Sequence, residues 1–133
     1  MTDIFLSQVT GTSSGLGRNL VEEVLAAGER VAATTRRASG LATLVTAHSQ
    51  ETLLVLELDI SSNDQIKAAF QRVKQHFGRV DVVVNNAGYA LKGEVEAISD
   101  ELAMQQMEVN FWAPVRISRE VRSQFGLWPQ TSH

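Results

Sequence analysis

The stretch Thr10-Gly11-Thr12-Ser13-Ser14-Gly15-Leu16-Gly17 decides the fold, because it lies between a short apolar segment and a helical pattern. Gly11 permits a tight turn out of a strand, and Gly15 has no Cβ, so the backbone can approach phosphate groups closely there. Gly17 lets the following helix pack tightly on a sheet. The first turn of that helix offers unpaired N–H groups and a positive dipole end to an anion. The stretch therefore predicts a dinucleotide pyrophosphate site.

Composition indicates one ordinary globular domain. Of 133 residues, 44% are hydrophobic and 20% are charged, and the net charge of −3 does not suggest a nucleic-acid surface. The sequence contains no cysteine, and its first residues do not form a signal peptide. No stretch approaches the roughly 20 apolar residues that a membrane span needs. We therefore expect a cytoplasmic protein without nucleic-acid or membrane partners.

Strands and helices are predicted to alternate along the chain. Apolar runs predict strands at residues 4–10, 30–35, 53–58 and 80–84, although Ser7 and Gln8 are unusual in a central strand. Helices are predicted at residues 16–27, around 41–48, from a capping box of Ser62 and Gln65 to residue 77, and from Ser99 to beyond residue 110. This alternation predicts an α/β fold with a parallel sheet whose strands are covered on both faces.

Helical periodicity also predicts which side chains enter the core. In the first helix, the predicted buried face consists of Leu16, Leu20, Val21, Val24 and Leu25. In the last helix, Met104 and Met107 are interpreted as core residues. His48 and His76 have no second ligand at metal-binding spacing, so we expect no metal site.

A second motif, Asn85-Asn86-Ala87-Gly88, directly follows the fourth predicted strand. With residues 10–17, Asp59 and Asn110, it resembles the short-chain dehydrogenase/reductase family over roughly residues 4–122. The resemblance implies a Rossmann-type doubly wound parallel sheet, truncated after about four strands. It divides the chain into an incomplete cofactor-binding domain, residues 1–122, and a non-matching tail, residues 123–133. It also implies an oxidoreductase that moves a hydride between a nicotinamide and a carbonyl or alcohol substrate.

The resemblance assigns a role to each motif. Gly11, Ser13, Ser14, Gly15, Leu16 and Gly17 would hold the pyrophosphate. Asp59 would accept a hydrogen bond from the adenine amino group, and the backbone of Ile60 would lie beside the ring. Asn86, Ala87 and Gly88 would line the ribose side of the cofactor, whereas Asn85 would brace the fourth strand. The alternative interpretations are an ordinary loop residue for Asp59 and a simple turn for the asparagine motif.

The residues that end the second strand indicate the type of cofactor. An acidic residue there would bind a ribose 2′-OH and repel a 2′-phosphate, but this chain has Thr35 followed by Arg36 and Arg37. A guanidinium suits a phosphate by charge and by its planar donor fork. We therefore expect NADP(H) to be favoured over NAD(H). The alternative is that Arg36 and Arg37 are solvated surface arginines.

Asn110 is followed four residues later by Pro114, within the same predicted helix. The proline cannot donate to the Asn110 carbonyl and pushes against it, so a kinked helix and a free carbonyl are predicted. In the family that the chain resembles, this carbonyl would hold a water in a proton relay. A kink without a function is the alternative.

The chain departs from the family pattern in its catalytic residues. The family uses a serine after a fifth strand and a Tyr-x-x-x-Lys pair on the next helix. Here Tyr89 is the only tyrosine, and Gly93 rather than a lysine follows it at the required spacing. We therefore expect an oxidoreductase by family that is inactive as this chain alone. The alternatives are a non-catalytic NADP(H)-binding module and a truncated remnant without function. A fourth strand without a neighbour also predicts self-association.

Overall fold

The structure, a computed structural model, describes residues 5–126. Its strands are β1 (Leu6–Val9), β2 (Arg30–Thr35), β3 (Leu53–Glu57) and β4 (Val82–Val84). They form one parallel sheet in the order β3-β2-β1-β4. The chain therefore winds outward from β1 in both directions, and the strand order reverses between β1 and β4. In open α/β sheets, the carboxyl ends of the strands at such a reversal border a ligand-binding crevice.

Five α-helices within residues 5–126 connect or follow these strands. They are α1 (Gly15–Ala26), α2 (Ala42–Ala47), α3 (Asn63–Phe77), α4 (Asp100–Met107) and α5 (Ala113–Phe125). None of the described helices is long and apolar enough to cross a bilayer. The predicted cytoplasmic location stays a prediction.

The sheet is covered by helices on both sides. The first layer packs on β1, β2 and β3 through the apolar faces of α1 and α2, in a cluster that includes Val9, Val21, Leu25, Leu41 and Leu44. The second layer consists of α3 and α5, whose buried residues include Ile66, Phe70, Ile117 and Val121. This arrangement confirms the doubly wound α/β fold.

Helix caps explain where α3 begins and ends. The Ser62 hydroxyl accepts from the N–H of Gln65 at 3.3 Å, and Gly78 ends the helix in the left-handed conformation with φ of 78°. A capping box also predicts a hydrogen bond from the N–H of Ser62 to the side chain of Gln65, and this part of the prediction is wrong. The Gln65 side chain accepts from the N–H of Asp59 at 2.9 Å, so it orders the loop after β3 instead.

Two predictions about burial are wrong. Met104 and Met107 are 64% and 50% exposed, because no element within residues 5–126 covers this face of α4. Val82 is 45% exposed in β4, which is the edge strand of the described sheet, as expected for a strand without a second neighbour. Leu16 is 81% exposed because the buried face of α1 begins at Gly17 and continues through Val21 and Leu25.

The predicted irregularity before Pro114 takes the form of a π-helical turn. This turn spans Glu108–Trp112 between α4 and α5, and the N–H of Ala113 donates to the Glu108 carbonyl five residues earlier. Pro114 lies in the first turn of α5, where a missing N–H is tolerated. Proteins often use such turns at functional sites. The freedom of the Asn110 carbonyl stays a prediction.

Helix α5 continues through Phe125, which is three residues into the segment predicted as a tail. Gly126 ends the helix with φ of 61°. The rest of the predicted tail, residues 127–133, lies outside the described residues.

Candidate functional site

A cavity of about 1280 Å³ lies at the carboxyl ends of the strands. It brings together most of the residues predicted to bind the cofactor, namely Gly11, Ser13, Ser14, Arg36, Arg37, Asp59, Ile60, Asn86, Ala87 and Gly88. Gly15, Leu16, Gly17 and Asn110 are not among the lining residues. The cavity is also lined by Thr34, Thr35, Ser39 and Gly40 at one end and by Tyr89, Gln105, Glu108 and Val109 at the other.

Close backbone packing shapes the turn between β1 and α1. Gly11 has φ of 66°, and a Cβ there would lie 2.8 Å from the Ala87 Cα. At Gly17, a Cβ would lie 2.4 Å from both the Gly11 carbonyl oxygen and the Asn86 Nδ2. The turn, the start of α1 and the loop after β4 are therefore in direct contact, and no side chain fits between them.

Thr10 and Asn86 join the turn to the loop after β4. The buried Thr10 hydroxyl accepts from the N–H groups of Asn86 at 3.1 Å and Ala87 at 3.0 Å, and donates to the Val84 carbonyl at 3.4 Å. In return, Asn86 Nδ2 donates to the carbonyls of Thr10 and Gly11, both at 3.1 Å. This loop and this turn are thus held as one unit.

These bonds correct one prediction and reveal an overlooked residue. The brace of β4 is Asn86, whereas Asn85 is exposed. Neighbouring residues of an extended loop point in opposite directions, and the sequence does not say which one faces inward. The overlooked residue is Thr10, which the sequence predicts only as part of the glycine stretch. Its role could have been inferred from its position, because a hydroxyl at the end of a buried strand needs a hydrogen-bond partner.

Asn110 holds the next part of that loop. Its Oδ1 accepts from the N–H of Tyr89 at 3.0 Å, and its Nδ2 donates to the Tyr89 carbonyl at 2.6 Å. A Cβ on Gly88 would lie 3.1 Å from the same Oδ1. The side chain of Asn110 therefore fixes the path of the cavity wall from the π-helical turn, without lining the cavity itself.

The loop after β3 carries Asp59 and Ile60. Asp59 Oδ1 accepts from the hydroxyl of Ser61 at 2.7 Å and from its N–H at 3.0 Å. These bonds lower the pKa of Asp59 below its ordinary value; partial burial opposes them, and the charge of Arg36 is the smallest of the effects that lower the pKa. The carboxylate is therefore ionised and oriented as an acceptor. Ile60 is buried at 8% exposure and anchors this loop in the core.

At the end of β2, Arg36 and Arg37 are exposed at the cavity. Thr35 is buried, and its hydroxyl accepts from the N–H of Arg37 at 3.3 Å. The carboxylate of Glu57 in neighbouring β3 accepts from the N–H of Ala38 at 3.1 Å, and Glu57 does not line the cavity. This end of the cavity therefore presents two guanidinium groups.

The opposite end is lined by Tyr89 and by residues of α4 and the π-helical turn. Glu108 forms an ion pair with Arg116, whose pKa is raised by the hydrogen bond to that carboxylate. The lone tyrosine is 41% exposed and has no lysine four residues later. Within residues 5–126, no three histidine or acidic side chains form a potential metal site.

Comparison with known proteins identifies related sequences. The family model of short chain dehydrogenases matches residues 7–127. An uncharacterized oxidoreductase of Schizosaccharomyces pombe is 43% identical over 112 residues, which are 84% of this chain and 37% of that protein.

Solved structures are similar throughout the same region. A short-chain dehydrogenase from Streptomyces avermitilis is 34% identical, with a TM-score of 0.87 over 92% of this chain and 44% of that one. An alcohol dehydrogenase from Thermococcus sibiricus, complexed with 5-hydroxy-NADP, is 26% identical, with a TM-score of 0.84 over 91% and 53% of the two chains. A 3-ketoacyl-(acyl-carrier-protein) reductase from Brucella melitensis, complexed with NADH, is 25% identical, with a TM-score of 0.84 over 91% and 50%.

The chain spans less than half the length of the curated relative and about half the length of the solved structures. The family match nevertheless covers nearly all the described residues, and the sheet order and crevice agree with it. The chain therefore belongs to the short-chain dehydrogenase/reductase family, whose members are oxidoreductases that bind nicotinamide dinucleotides.

Proposed function

We propose that this chain binds NADP(H) in preference to NAD(H), and that it serves an oxidoreductase acting on a carbonyl or alcohol. The observation that carries the proposal is the end of the cavity at β2, where Arg36 and Arg37 are exposed and no carboxylate follows the strand. When bound, the nicotinamide supplies or accepts the hydride of the reaction. The residues of this chain bind and orient the dinucleotide.

The two cofactors differ only in the 2′-phosphate of the adenosine ribose, so the preference depends on the groups near that position. Arg36 and Asp59 line the same cavity, and the charge of Arg36 contributes to lowering the pKa of the Asp59 carboxyl group. This supports a positive charge near the residue predicted to contact the adenine. A guanidinium that meets a phosphate forms charge-assisted, often bidentate hydrogen bonds. The related structures bind either 5-hydroxy-NADP or NADH, so the preference is argued from the arginines alone.

Titration calorimetry of NADPH and NADH against the wild type and Arg36→Ala tests this proposal. A charge-assisted contact contributes about 1.5–3 kcal/mol, which is roughly ten- to a hundredfold in affinity. Arg36→Ala should weaken NADPH by this factor and leave NADH nearly unchanged, and Thr35→Asp should favour NADH by repelling the phosphate. Arg72→Ala is the matched control, since Arg72 is exposed on α3 and does not line the cavity. Equal loss of both cofactors in Arg36→Ala would refute the assignment.

We also propose that this 133-residue chain alone does not turn over substrate. The family's tyrosine, lysine and serine have no counterparts in the sequence, and acid–base catalysis of this kind contributes typically about 10²–10⁴-fold. A non-catalytic NADP(H)-binding module and a remnant without function are the alternatives. NADPH oxidation by the purified chain with a panel of ketones should stay at background. A Tyr-x-x-x-Lys motif encoded downstream of His133 would favour an oxidoreductase over both alternatives.

A further proposal concerns self-association through β4. Within residues 5–126 this strand pairs only with β1, and Val82 is 45% exposed at its outer edge. An unpaired apolar edge favours pairing with another chain, and an edge lysine opposes it. Light scattering should show a mass that rises with protein concentration, and Val82→Lys should suppress the rise. A monodisperse monomer of the wild type at high concentration would contradict this proposal.

A further inference from the structure

The segment that carries Arg36 and Arg37 away from β2 is held by a residue of another element. Arg18 lies in the first turn of α1, and its guanidinium reaches across to the segment that leads into α2. Arg18 Nη1 donates to the Gly40 carbonyl at 2.9 Å, and Nη2 donates to the Thr43 hydroxyl at 2.8 Å. Its Nε donates to Glu22 at 3.1 Å, one turn further along α1. All three donor nitrogens of the side chain are therefore used.

Further contacts fix the same segment. A Cβ on Gly40 would lie 3.2 Å from the Ser13 Cβ, so the segment rests directly on the glycine turn. On the opposite side, the hydroxyl of Thr35 and the carboxylate of Glu57 accept from the N–H groups of Arg37 and Ala38. Arg18 contributes the bonds that tie this segment to α1, and it does not line the cavity.

We propose that Arg18 is a positioning residue that sets the preference for NADP(H), by holding the segment from Arg36 to Gly40 in place before the cofactor binds. This inference rests on the proposed function of Arg36. The proposed function assigns the 2′-phosphate to Arg36 in that segment, so its prior ordering should favour NADPH over NADH. A bound ligand loses less free energy to ordering when its partners are already immobilised.

Arg18→Lys tests the role with little change in charge. A lysine carries one compact ammonium group, which cannot reach the Gly40 carbonyl, the Thr43 hydroxyl and Glu22 together in a planar fork. Hydrogen exchange of the backbone amides at residues 36–43, measured without cofactor, should become faster because the segment opens more often. The affinity for NADPH should fall roughly three- to tenfold, the range expected for ordering one side chain and its turn on binding. The affinity for NADH should not change.

Arg72→Lys is the control, since it makes the same substitution on the exposed face of α3. Unchanged exchange at residues 36–43 in Arg18→Lys would overturn the positioning role. An equal fall in both affinities would also overturn it, because Arg18 would then support the fold generally. If the wild type binds both cofactors equally, the proposed NADP(H) preference fails, and the specificity role of Arg18 fails with it. If the wild type prefers NADPH and Arg18→Lys keeps the same ratio, only the inference about Arg18 fails.

Discussion

Replacing Thr10 by valine should destabilise this protein far more than the same change at Thr12. Both side chains are buried, with exposures of 1% and 0%, and valine has nearly the same shape as threonine. The two hydroxyls differ in their hydrogen bonds. Thr10 accepts from the N–H groups of Asn86 and Ala87, whereas Thr12 only donates, to the Thr34 carbonyl at 3.1 Å.

The magnitude follows from the groups that each substitution leaves behind. In Thr10→Val, the Ala87 N–H loses its one acceptor among residues 5–126, which costs about 1–3 kcal/mol. The Asn86 N–H keeps the Val84 carbonyl at 3.0 Å, so its loss is closer to the net value of one hydrogen bond, about 0.5–1.5 kcal/mol. In Thr12→Val, the Thr34 carbonyl keeps the Thr12 N–H at 3.3 Å. We therefore expect losses of roughly 2–4 kcal/mol for Thr10→Val and about 1 kcal/mol for Thr12→Val.

Urea denaturation of the two variants and the wild type, with the slope m checked for constancy, measures both losses. A loss of this size is a large part of the total stability of a small domain, about 5–15 kcal/mol. Thr10→Ser restores the hydroxyl and should recover most of the difference. If the two valine variants lose equal stability, or if Thr10→Ser is no better than Thr10→Val, the hydroxyl of Thr10 does not support the loop after β4.

Other substitutions test separate parts of the structure. Gln8→Leu should stabilise the domain by about 1–2 kcal/mol, because the buried Gln8 Oε1 has no partner among the described residues and its Nε2 only donates to the Thr34 hydroxyl at 3.5 Å. A thermal melt measures the gain, and a loss of stability would show that the amide contributes more than its burial costs. Asp81→Asn should cost stability at pH 7, because the bond from Arg79 is the main cause that lowers the pKa of Asp81 below its ordinary value of 3.8. The difference from the wild type should shrink as the pH falls below about 3.8, where the carboxyl group of the unfolded chain becomes protonated, and should disappear below the lowered pKa of the native group. A pH-independent difference would contradict this cause. Gly17→Ala should abolish cofactor binding or folding, since its Cβ would lie 2.4 Å from the Gly11 carbonyl oxygen. Gly93→Ala is the control, because its Cβ would meet only the Ile98 side chain at 3.6 Å. Circular dichroism and calorimetry should show no effect of this control substitution.

The sequence predicted the order and type of the elements well, because the relevant signals are local. Apolar runs, 3.6-residue periodicity and glycine stops depend on neighbouring residues, and they placed α1, α3 and all four strands within a few residues of their observed bounds. The predicted residues that meet at the cavity follow the ends of all four strands, namely the glycine turn after β1, Arg36 and Arg37 after β2, Asp59 and Ile60 after β3, and the asparagine motif after β4. A parallel sheet brings such strand ends to one edge, whatever the details of packing.

The errors arose where the answer depends on distant parts of the chain. Met104 fits a helical apolar pattern, but the pattern does not reveal whether another element covers that face. Asn85 and Asn86 are chemically identical, so only the direction of the loop determines which one reaches the Gly11 carbonyl. The bonds of Arg18 could not be predicted for the same reason, since its partners lie 22 and 25 residues away on a segment without a motif.

The residues of the site form two groups that experiments can separate: a first group that supports the fold and the cavity wall, and a second group that sets the preference between the two cofactors. Thr10, Asn86 and the glycine turn hold β4 to β1 and also form the wall of the cavity, so weakening them should reduce stability and the affinity for both dinucleotides together. Arg36 and Arg18 lie beyond the sheet, at the end of the cavity that we propose to hold the adenosine, and their loss should change the ratio of the two affinities with little effect on unfolding. A cofactor that binds only the folded state stabilises it by a free energy that rises with the logarithm of its concentration divided by its dissociation constant. The shift in unfolding midpoint caused by NADPH, compared with that caused by NADH, therefore measures the effect of Arg36 and Arg18 on cofactor preference. The comparison remains valid in variants of Thr10 or Asn86 that have lost stability.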